Sequence, residues 1–184
     1  MVLKIVLCGD PGVGTTELRL KYLGFGFRSQ YMMTVGAEFS IKDVIWQFGP
    51  LAGSSTKAQI WELASQQCFK AVRPLYYIGC HAAILVYDIT KAETLEHLIN
   101  WLKEIKTHVG TIPIAIIGTK KNLRKRVKNP ISTRMGEEFA EMVEKEFLNN
   151  TFEVPFVEIA VKGRKNVELV FKKLVEIVYT TYMA

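Results

Sequence analysis

Apolar residues along this chain follow two spacings, one typical of strands and one typical of helices. Short runs that are continuously apolar, or that alternate with polar residues, predict β-strands at 3–8, 37–48, 56–62, 82–87, 112–117 and 154–159. Apolar residues three or four positions apart predict helices at 16–23, at 92–108, from Ser132 to about 147, and at 166–179. The segment 49–55 is rich in glycine and serine and reads as a hairpin connection.

Strands alternate with helices along most of the chain, which predicts an α/β architecture. We expect three layers, with a mostly parallel sheet of about six strands flanked by about five helices. Ligands of such sheets bind beyond the carboxyl ends of the strands. The loops that follow Cys8, Glu62, Gly118 and Ile159 are therefore where binding or catalytic residues are expected.

Length and cysteine content favour one intracellular domain. The 184 residues suit a single domain spanning 1–184. Cys8, Cys68 and Cys80 are scattered without metal-ligand spacing, and three cysteines cannot all pair, so reduced structural thiols are expected. No apolar run is long enough to span a membrane, and we expect a cytoplasmic protein.

The net charge of +6 is concentrated in a basic run at 120–128. Such a run attracts acidic membranes or nucleic acid, or it is a solvated loop after a buried strand. Because no aromatic residues interleave for base stacking, we favour the solvated loop and expect no nucleic-acid binding. Residue 2 is valine and the tail 179–184 has no cysteine, so no direct lipid anchor is expected. Membrane association would then need a partner protein.

The loop after the first predicted strand has most of a phosphate-binding pattern. That pattern is glycine, four residues, glycine, lysine, then serine or threonine. Only the lysine is missing from the loop, which reads Gly9, Asp10, Pro11, Gly12, Val13, Gly14, Thr15 and Thr16. Glycines let backbone N–H groups turn toward phosphate oxygens, and the next helix directs its positive end to the same place. Taken alone, the loop also fits a tight strand-to-helix turn without a ligand.

Five further segments carry motifs in a fixed order. They are 31–39, 60–67 with Trp-Glu-Leu-Ala-Ser-Gln, 76–88, 118–123 with Gly-Thr-Lys-Lys-Asn-Leu, and 158–162 with Glu-Ile-Ala-Val-Lys. Together with the loop they cover nearly the whole chain and resemble a Rab-like small G protein of the Ras superfamily. The resemblance implies the P-loop NTPase fold of small G proteins, with GTP or GDP and Mg²⁺ as ligands.

The resemblance also implies roles for particular residues. Mg²⁺ would be held by Thr16, Thr34 and Glu62, and Gln66 would orient the attacking water in hydrolysis. Nucleotide contacts would come from the loop residues 9–16 and from Phe27, Thr34, Ser65, Thr119, Lys120, Asn122, Ala160, Val161 and Lys162. Ordinary alternatives stay open: a loop threonine for Thr34, a strand-end acid for Glu62, a polar loop residue for Gln66 and core packing for Phe27.

Several positions depart from the family pattern and are expected to weaken the site. Thr15 replaces the phosphate-binding lysine, whose charge-assisted contact is worth roughly 1.5–3 kcal/mol, or about tenfold to a hundredfold in affinity. Glu62 replaces an aspartate, and Ser65 replaces a glycine and cannot freely adopt positive φ. Pro11 offers no N–H. Asn122 replaces the aspartate that accepts two hydrogen bonds from guanine, so it better suits a base such as xanthine.

Three functions are consistent with these features. The first is a guanine-nucleotide-dependent molecular switch with weakened nucleotide binding, Mg²⁺ binding that is weakened or lost, and little GTP hydrolysis. The second is a pseudo-GTPase that acts as a nucleotide-independent protein-interaction module, and the third is a switch that uses another purine nucleotide. Effector or regulatory proteins would bind the segments around Thr34 and Gln66. Phe39, Trp61 and Tyr77 match aromatics that Rab proteins present to effectors, or they pack half-buried on the sheet.

Overall fold

A computed structural model of the chain describes residues 2–25, 35–46, 52–160 and 164–182. Within these ranges the strands are β1 (Val2–Gly9), β2 (Ala37–Ile45), β3 (Ser55–Leu63), β4 (Ala82–Asp88), β5 (Ile114–Thr119) and β6 (Phe156–Glu158). They form one six-stranded sheet in the order β2-β3-β1-β4-β5-β6. The β2–β3 pair is antiparallel and the other four pairs are parallel. The predicted α/β fold with a mostly parallel sheet is confirmed.

Helices cover both faces of the sheet. In the described part of the chain they are α1 (Thr15–Leu23), α2 (Arg73–Tyr77), α3 (Ala92–Glu96), α4 (Leu98–His108), α5 (Thr133–Met142) and α6 (Arg164–Tyr182). Apolar residues of α1 and α6 pack on one face, where Tyr22 stacks on Phe171 at 3.7 Å between ring centroids. Residues of α2, α3, α4 and α5 pack on the other face. The result is the expected three-layer arrangement.

Two predicted helices differ in detail from the structure. The helix predicted at 92–108 is divided at His97, whose carbonyl oxygen accepts a hydrogen bond from Asn100 N in a tightened first turn of α4. The helix predicted from Ser132 to about 147 begins as expected, because Ser132 Oγ accepts a hydrogen bond from Met135 N over 3.2 Å. It continues beyond α5 as a wider π-helical turn over Val143–Phe147. Sequence periodicity did not predict α2, which has only five residues.

The register of the strands brings the ends of four of them to one edge. Leu7 of β1 lies opposite Glu62 of β3, and Gly9 lies opposite Val86 of β4. Farther along, Asp88 lies opposite Thr119 of β5. The loops that follow these strands therefore share one edge of the sheet, as expected for a ligand site in this architecture.

The described helices include none with the length and apolar character needed to cross a bilayer. All three cysteines are free thiols. Cys8 and Cys80 are buried, as a structural role predicts, whereas Cys68 is exposed and differs from that expectation.

Candidate functional site

The glycine-rich loop between β1 and α1 has a backbone that requires its glycines. Gly12 and Gly14 have φ angles of 77° and 100°, in the left-handed region that side chains rarely adopt. A Cβ atom at Gly9 would lie 2.4 Å from the carbonyl oxygen of Val86, so the loop also begins at a close approach between strands. The first N–H groups of α1 have no partner inside the helix and are available at the loop. The loop thus keeps the form of an anion cradle.

The two threonines that follow the loop turn toward one carboxylate. Thr15 Oγ1 donates to Glu62 Oε1 over 3.1 Å, and Thr16 Oγ1 donates to the same oxygen over 2.5 Å. Glu62 lies near the end of β3 and is buried. The structure therefore brings together two of the three predicted metal-binding residues, Thr16 and Glu62. The third, Thr34, lies outside the described residues.

A buried arginine, which sequence analysis missed, is the central cation of this site. Arg19 Nε donates to Glu62 Oε2 over 2.9 Å, and another guanidinium nitrogen donates to Ser40 Oγ over 2.7 Å. The remaining terminal nitrogen contacts the Glu38 carboxylate. One signal could have found it: Arg19 lies four residues after Thr15 and three after Thr16, which places it on the same helix face.

These contacts decide whether the residues present suit Mg²⁺. Both Glu62 oxygens accept hydrogen bonds, and one of them faces a guanidinium. The Thr16 hydroxyl, which the family pattern directs to the metal, donates to Glu62 instead. A divalent ion would have to displace these donors and lie next to Arg19, which repels it. The described residues do not fit a Mg²⁺ ion in this arrangement.

The region beside Glu62 where Gln66 lies is narrow. A cavity of about 20 Å³ is lined by the glycine loop, the start of α1, Glu62, Ser65 and Gln66. Gln66 Oε1 is buried and has no hydrogen-bond partner among the described residues. Pro11 is exposed at the rim of the loop. Ser65 and Gln66 therefore line a narrow cavity together with the glycine loop.

A larger cavity of about 320 Å³ opens on the other side of the loop. Among its lining residues are Val13, Leu18, Leu123 and Ile159, which give it apolar walls. Its predicted members Gly12, Gly14, Thr119, Lys120 and Ala160 all contribute to the lining. An opening of this size with largely apolar walls and a few polar groups is typical of small-molecule sites.

Thr119, the last residue of β5, and Lys120, which follows it, fasten this cavity to the glycine loop. Thr119 Oγ1 donates to Val13 O over 2.6 Å. Lys120 has a left-handed backbone with φ 61°, and its Nζ donates to Gly12 O over 2.8 Å and to Asp88 Oδ2 over 2.6 Å. Burial of Asp88 opposes its ionisation, yet the hydrogen bonds from Lys120 and Thr90 hold the pKa of Asp88 below its usual value. Lys120 is thus fixed beside the loop by two hydrogen bonds.

Other predicted base contacts are less well placed. Asn122 is exposed and is not among the residues that line the 320 Å³ cavity, although Lys120 and Leu123 on either side of it are. Ala160 lines the cavity, and its carbonyl oxygen accepts from Lys21 Nζ over 3.0 Å. Predicted contacts at Phe27, Thr34, Val161 and Lys162 lie outside the described residues.

A partly exposed aromatic group lies on the sheet edge next to the site. Phe39 of β2 and Trp61 of β3 stack with 4.9 Å between ring centroids, and Trp61 lies 6.0 Å from Tyr76. Phe39 is 53% exposed. Of the two alternatives for Tyr77, the structure supports packing, because its ring is buried and its hydroxyl donates to Glu104 over 3.0 Å. Tyr76, one residue earlier, faces this surface instead.

Comparison with known proteins points to a single family. The model for the Ras family matches residues 4–180. The chain is 36% identical over 181 residues to Ras-related protein RABA4b of Arabidopsis thaliana, covering 98% of this chain and 74% of that protein. Identity to Ras-related protein Rab11E of Lotus japonicus is 36% over 177 residues, with coverage of 96% and 74%. Identity to Ras-related protein SEC4 of Candida albicans is 28% over 179 residues, with coverage of 97% and 78%.

Proposed function

Because the chain belongs to the Ras family and is similar to its Rab members, we propose that it is a Rab-like guanine-nucleotide switch with weakened nucleotide binding and little GTP hydrolysis. Members of this family use Mg²⁺ with GTP or GDP. The glycine loop and the 320 Å³ cavity beside it support nucleotide binding, because they supply a phosphate cradle and a site for a planar base.

The observation that carries the weakening is the direction of the Thr15 side chain. It occupies the position of the phosphate-binding lysine, but its hydroxyl donates to Glu62 Oε1 over 3.1 Å. A neutral, internally bonded hydroxyl supplies no positive charge for a phosphate chain. A charge-assisted contact of that kind contributes roughly 1.5–3 kcal/mol, so its loss weakens affinity by about tenfold to a hundredfold.

Slow hydrolysis follows from the surroundings of Gln66. Catalysis of phosphoryl transfer depends on positioned cations and a positioned water. Here the lysine position is Thr15, the carboxylate of Glu62 is already engaged, and Gln66 lies beside a cavity of about 20 Å³. We therefore propose that the protein alone hydrolyses bound GTP slowly. Faster hydrolysis would need a partner protein that opens the narrow cavity beside Gln66.

The test is the affinity for a fluorescent GDP analogue, measured by titration. We expect weak binding to the wild-type protein and an affinity about tenfold to a hundredfold higher for Thr15→Lys. Thr15→Met is the matched control. Methionine is similar in length to lysine but carries no charge, so this variant should leave the affinity unchanged. No binding to either the wild type or Thr15→Lys would reject the switch.

A second candidate function is favoured by the engagement of Glu62. Because the site is filled by Arg19, Thr15 and Thr16, the chain is also suited to act as a nucleotide-independent interaction module. The two functions differ in nucleotide content. The purified protein is denatured and any released nucleotide is separated by chromatography; bound GDP or GTP would reject the module. An empty protein whose melting temperature does not change with GTP would reject the switch.

Both functions act through partner proteins, which we propose bind near Gln66 and the residues around 34. Phe39, which is exposed and stacks on the half-buried Trp61, supports a protein contact, since aromatic residues are enriched in interfaces. Rab-like proteins associate with membranes through partners, and we propose the same for this chain, which we place in the cytoplasm. The test is Phe39→Ala, which should reduce partner binding without changing the urea midpoint.

A further inference from the structure

A buried ion pair occupies the place where the family pattern puts a metal ion. The Glu62 side chain is 2% exposed, and its Oε2 accepts a hydrogen bond from Arg19 Nε over 2.9 Å. Its Oε1 accepts from the hydroxyls of Thr15 and Thr16. Burying a carboxylate charge this deeply is costly unless a cation lies beside it. In this protein that cation is a side chain of the chain itself.

The guanidinium of Arg19 is held in place from several sides. Besides Glu62, it bonds to Ser40 Oγ over 2.7 Å and contacts the Glu38 carboxylate, and both of these residues belong to β2. Its side chain is 7% exposed, so water does little to screen its charge. A planar group with donors in fixed directions suits three acceptors at once, which an ammonium group would satisfy less well.

A divalent cation and this guanidinium would compete for the same acceptors. The ion would need Glu62 and the Thr16 hydroxyl, and both are already bonded within the chain. It would also approach a fixed positive charge in a poorly hydrated site, where repulsion between like charges is strong. Moving Arg19 aside would break its contacts to Glu38, Ser40 and Glu62 together.

From this geometry we infer that the guanidinium of Arg19 takes the place of the divalent cation at Glu62, so that the site excludes Mg²⁺ and a nucleotide binds without it. The exclusion of the metal follows from the ion pair. Nucleotide binding without the metal rests on the proposed function, and the two statements are tested by separate measurements.

The first measurement is the Kd of a fluorescent GDP analogue in excess Mg²⁺ and in EDTA. For the wild type we expect the same Kd within about twofold under both conditions. Arg19→Leu should gain a Mg²⁺ dependence of about tenfold or more, because the Glu62 carboxylate is then open to the ion. Arg134→Leu, which removes an exposed arginine paired with Glu138 on α5, is the matched control and should behave as the wild type. A wild-type Kd at least about tenfold lower in Mg²⁺ would overturn the inference.

The second measurement uses Mn²⁺ as a paramagnetic probe of the nucleotide-free protein, with free Mn²⁺ followed by electron paramagnetic resonance. We expect the wild type and Arg134→Leu to leave the signal unchanged, and Arg19→Leu to reduce it. Mn²⁺ binding by the wild type that disappears in Glu62→Gln would overturn the inference, as would a folded Arg19→Leu that binds none.

The two measurements keep the proposals distinguishable. A wild type that binds no GDP analogue in Mg²⁺ or in EDTA would reject the proposed function, and the Mn²⁺ titration would still decide whether the site excludes a metal. If Arg19→Leu does not fold, the wild-type protein alone decides in both measurements, since Mg²⁺-dependent GDP binding or Mn²⁺ binding at Glu62 would each overturn the inference.

Discussion

His97 Nδ1 lies 2.5 Å from Asp10 Oδ2, and this contact ties the glycine loop to the junction of α3 and α4. Trp101 Nε1 also approaches Asp10, at 3.4 Å from Oδ1. The loop is therefore fastened on this side to a helix of the outer layer, and on the other side to Thr119 and Lys120. Its shape depends on residues about ninety positions away, and one of them titrates near neutral pH.

The His97–Asp10 contact predicts a pH-dependent contribution to stability. The hydrogen bond and the charge of Asp10 raise the pKa of His97 above its usual value. A raised pKa in the folded state stabilises the protein below the unfolded value of about 6.5, and that contribution is lost as the pH rises through the folded value. Because the side chain is half-exposed, the contribution is about 0.5 kcal/mol.

The measurement is urea unfolding of wild type and His97→Gln as a function of pH. The difference between their free energies of unfolding should be largest near about pH 5.5 and vanish above about pH 8. Asp10→Asn should remove this pH dependence. A difference that grows with increasing pH would contradict the assignment.

The buried pair of Arg73 and Glu104 should contribute strongly to stability. Arg73 donates through two nitrogens to the two Glu104 oxygens over 2.7 and 2.8 Å, and also bonds to Ala64 O. Glu104→Gln leaves the buried arginine without its carboxylate, and we expect a loss of about 3–5 kcal/mol in the free energy of unfolding. Glu138→Gln, at an exposed pair, is the control for urea titration. Equal urea midpoints for both variants would show that the buried pair contributes nothing.

The same pair predicts the response to acid. Burial alone would raise the pKa of Glu104, but the hydrogen bonds and charge of Arg73 hold it below its usual value. The stabilisation is therefore complete above the unfolded value of about 4.3 and is lost as the pH falls through the folded value. The wild type should lose more stability than Glu104→Gln between about pH 5 and pH 3.

Arg19→Leu should destabilise the protein by about 3–5 kcal/mol, because it leaves a buried carboxylate at Glu62 without its guanidinium. The double variant Arg19→Leu/Glu62→Gln should recover part of that loss, since the buried charge is then absent as well. Urea unfolding of the two single variants and the double variant forms a double-mutant cycle that measures the coupling. Additive effects would mean that the two side chains do not interact.

Asn122→Asp should shift base preference toward guanine. The aspartate accepts two hydrogen bonds from guanine, whereas the asparagine offers one acceptor and a donor pair. We therefore expect the ratio of the affinity for GDP to the affinity for xanthosine diphosphate to rise about tenfold or more. Asn129→Asp, an exposed position in the following loop, controls for the added negative charge. Competition against a fluorescent nucleotide measures both ratios. An unchanged ratio would indicate that residue 122, which is exposed, does not reach the base.

Local pattern was sufficient to predict the sheet, most helices and the position of the glycine loop. Strand runs are apolar because parallel strands are buried on both faces. Apolar residues in the helices recur every three to four positions because one side of each helix faces the sheet. The helix start at Ser132 was also predicted correctly, because capping is a local contact between residues only three positions apart. Thr15, in place of lysine, was likewise visible from the loop pattern alone.

Only the tertiary structure decided what surrounds those residues. Arg19, Glu38 and Glu62 are far apart in the chain, and they meet because β2 pairs with β3 and α1 packs over both. Tyr76 and Tyr77 are adjacent residues of the same type. The short α2 directs the Tyr76 ring toward Trp61 and buries the Tyr77 ring. Sequence periodicity is a property of neighbours, whereas compensation of a buried charge depends on which distant side chain the fold brings within hydrogen-bonding distance.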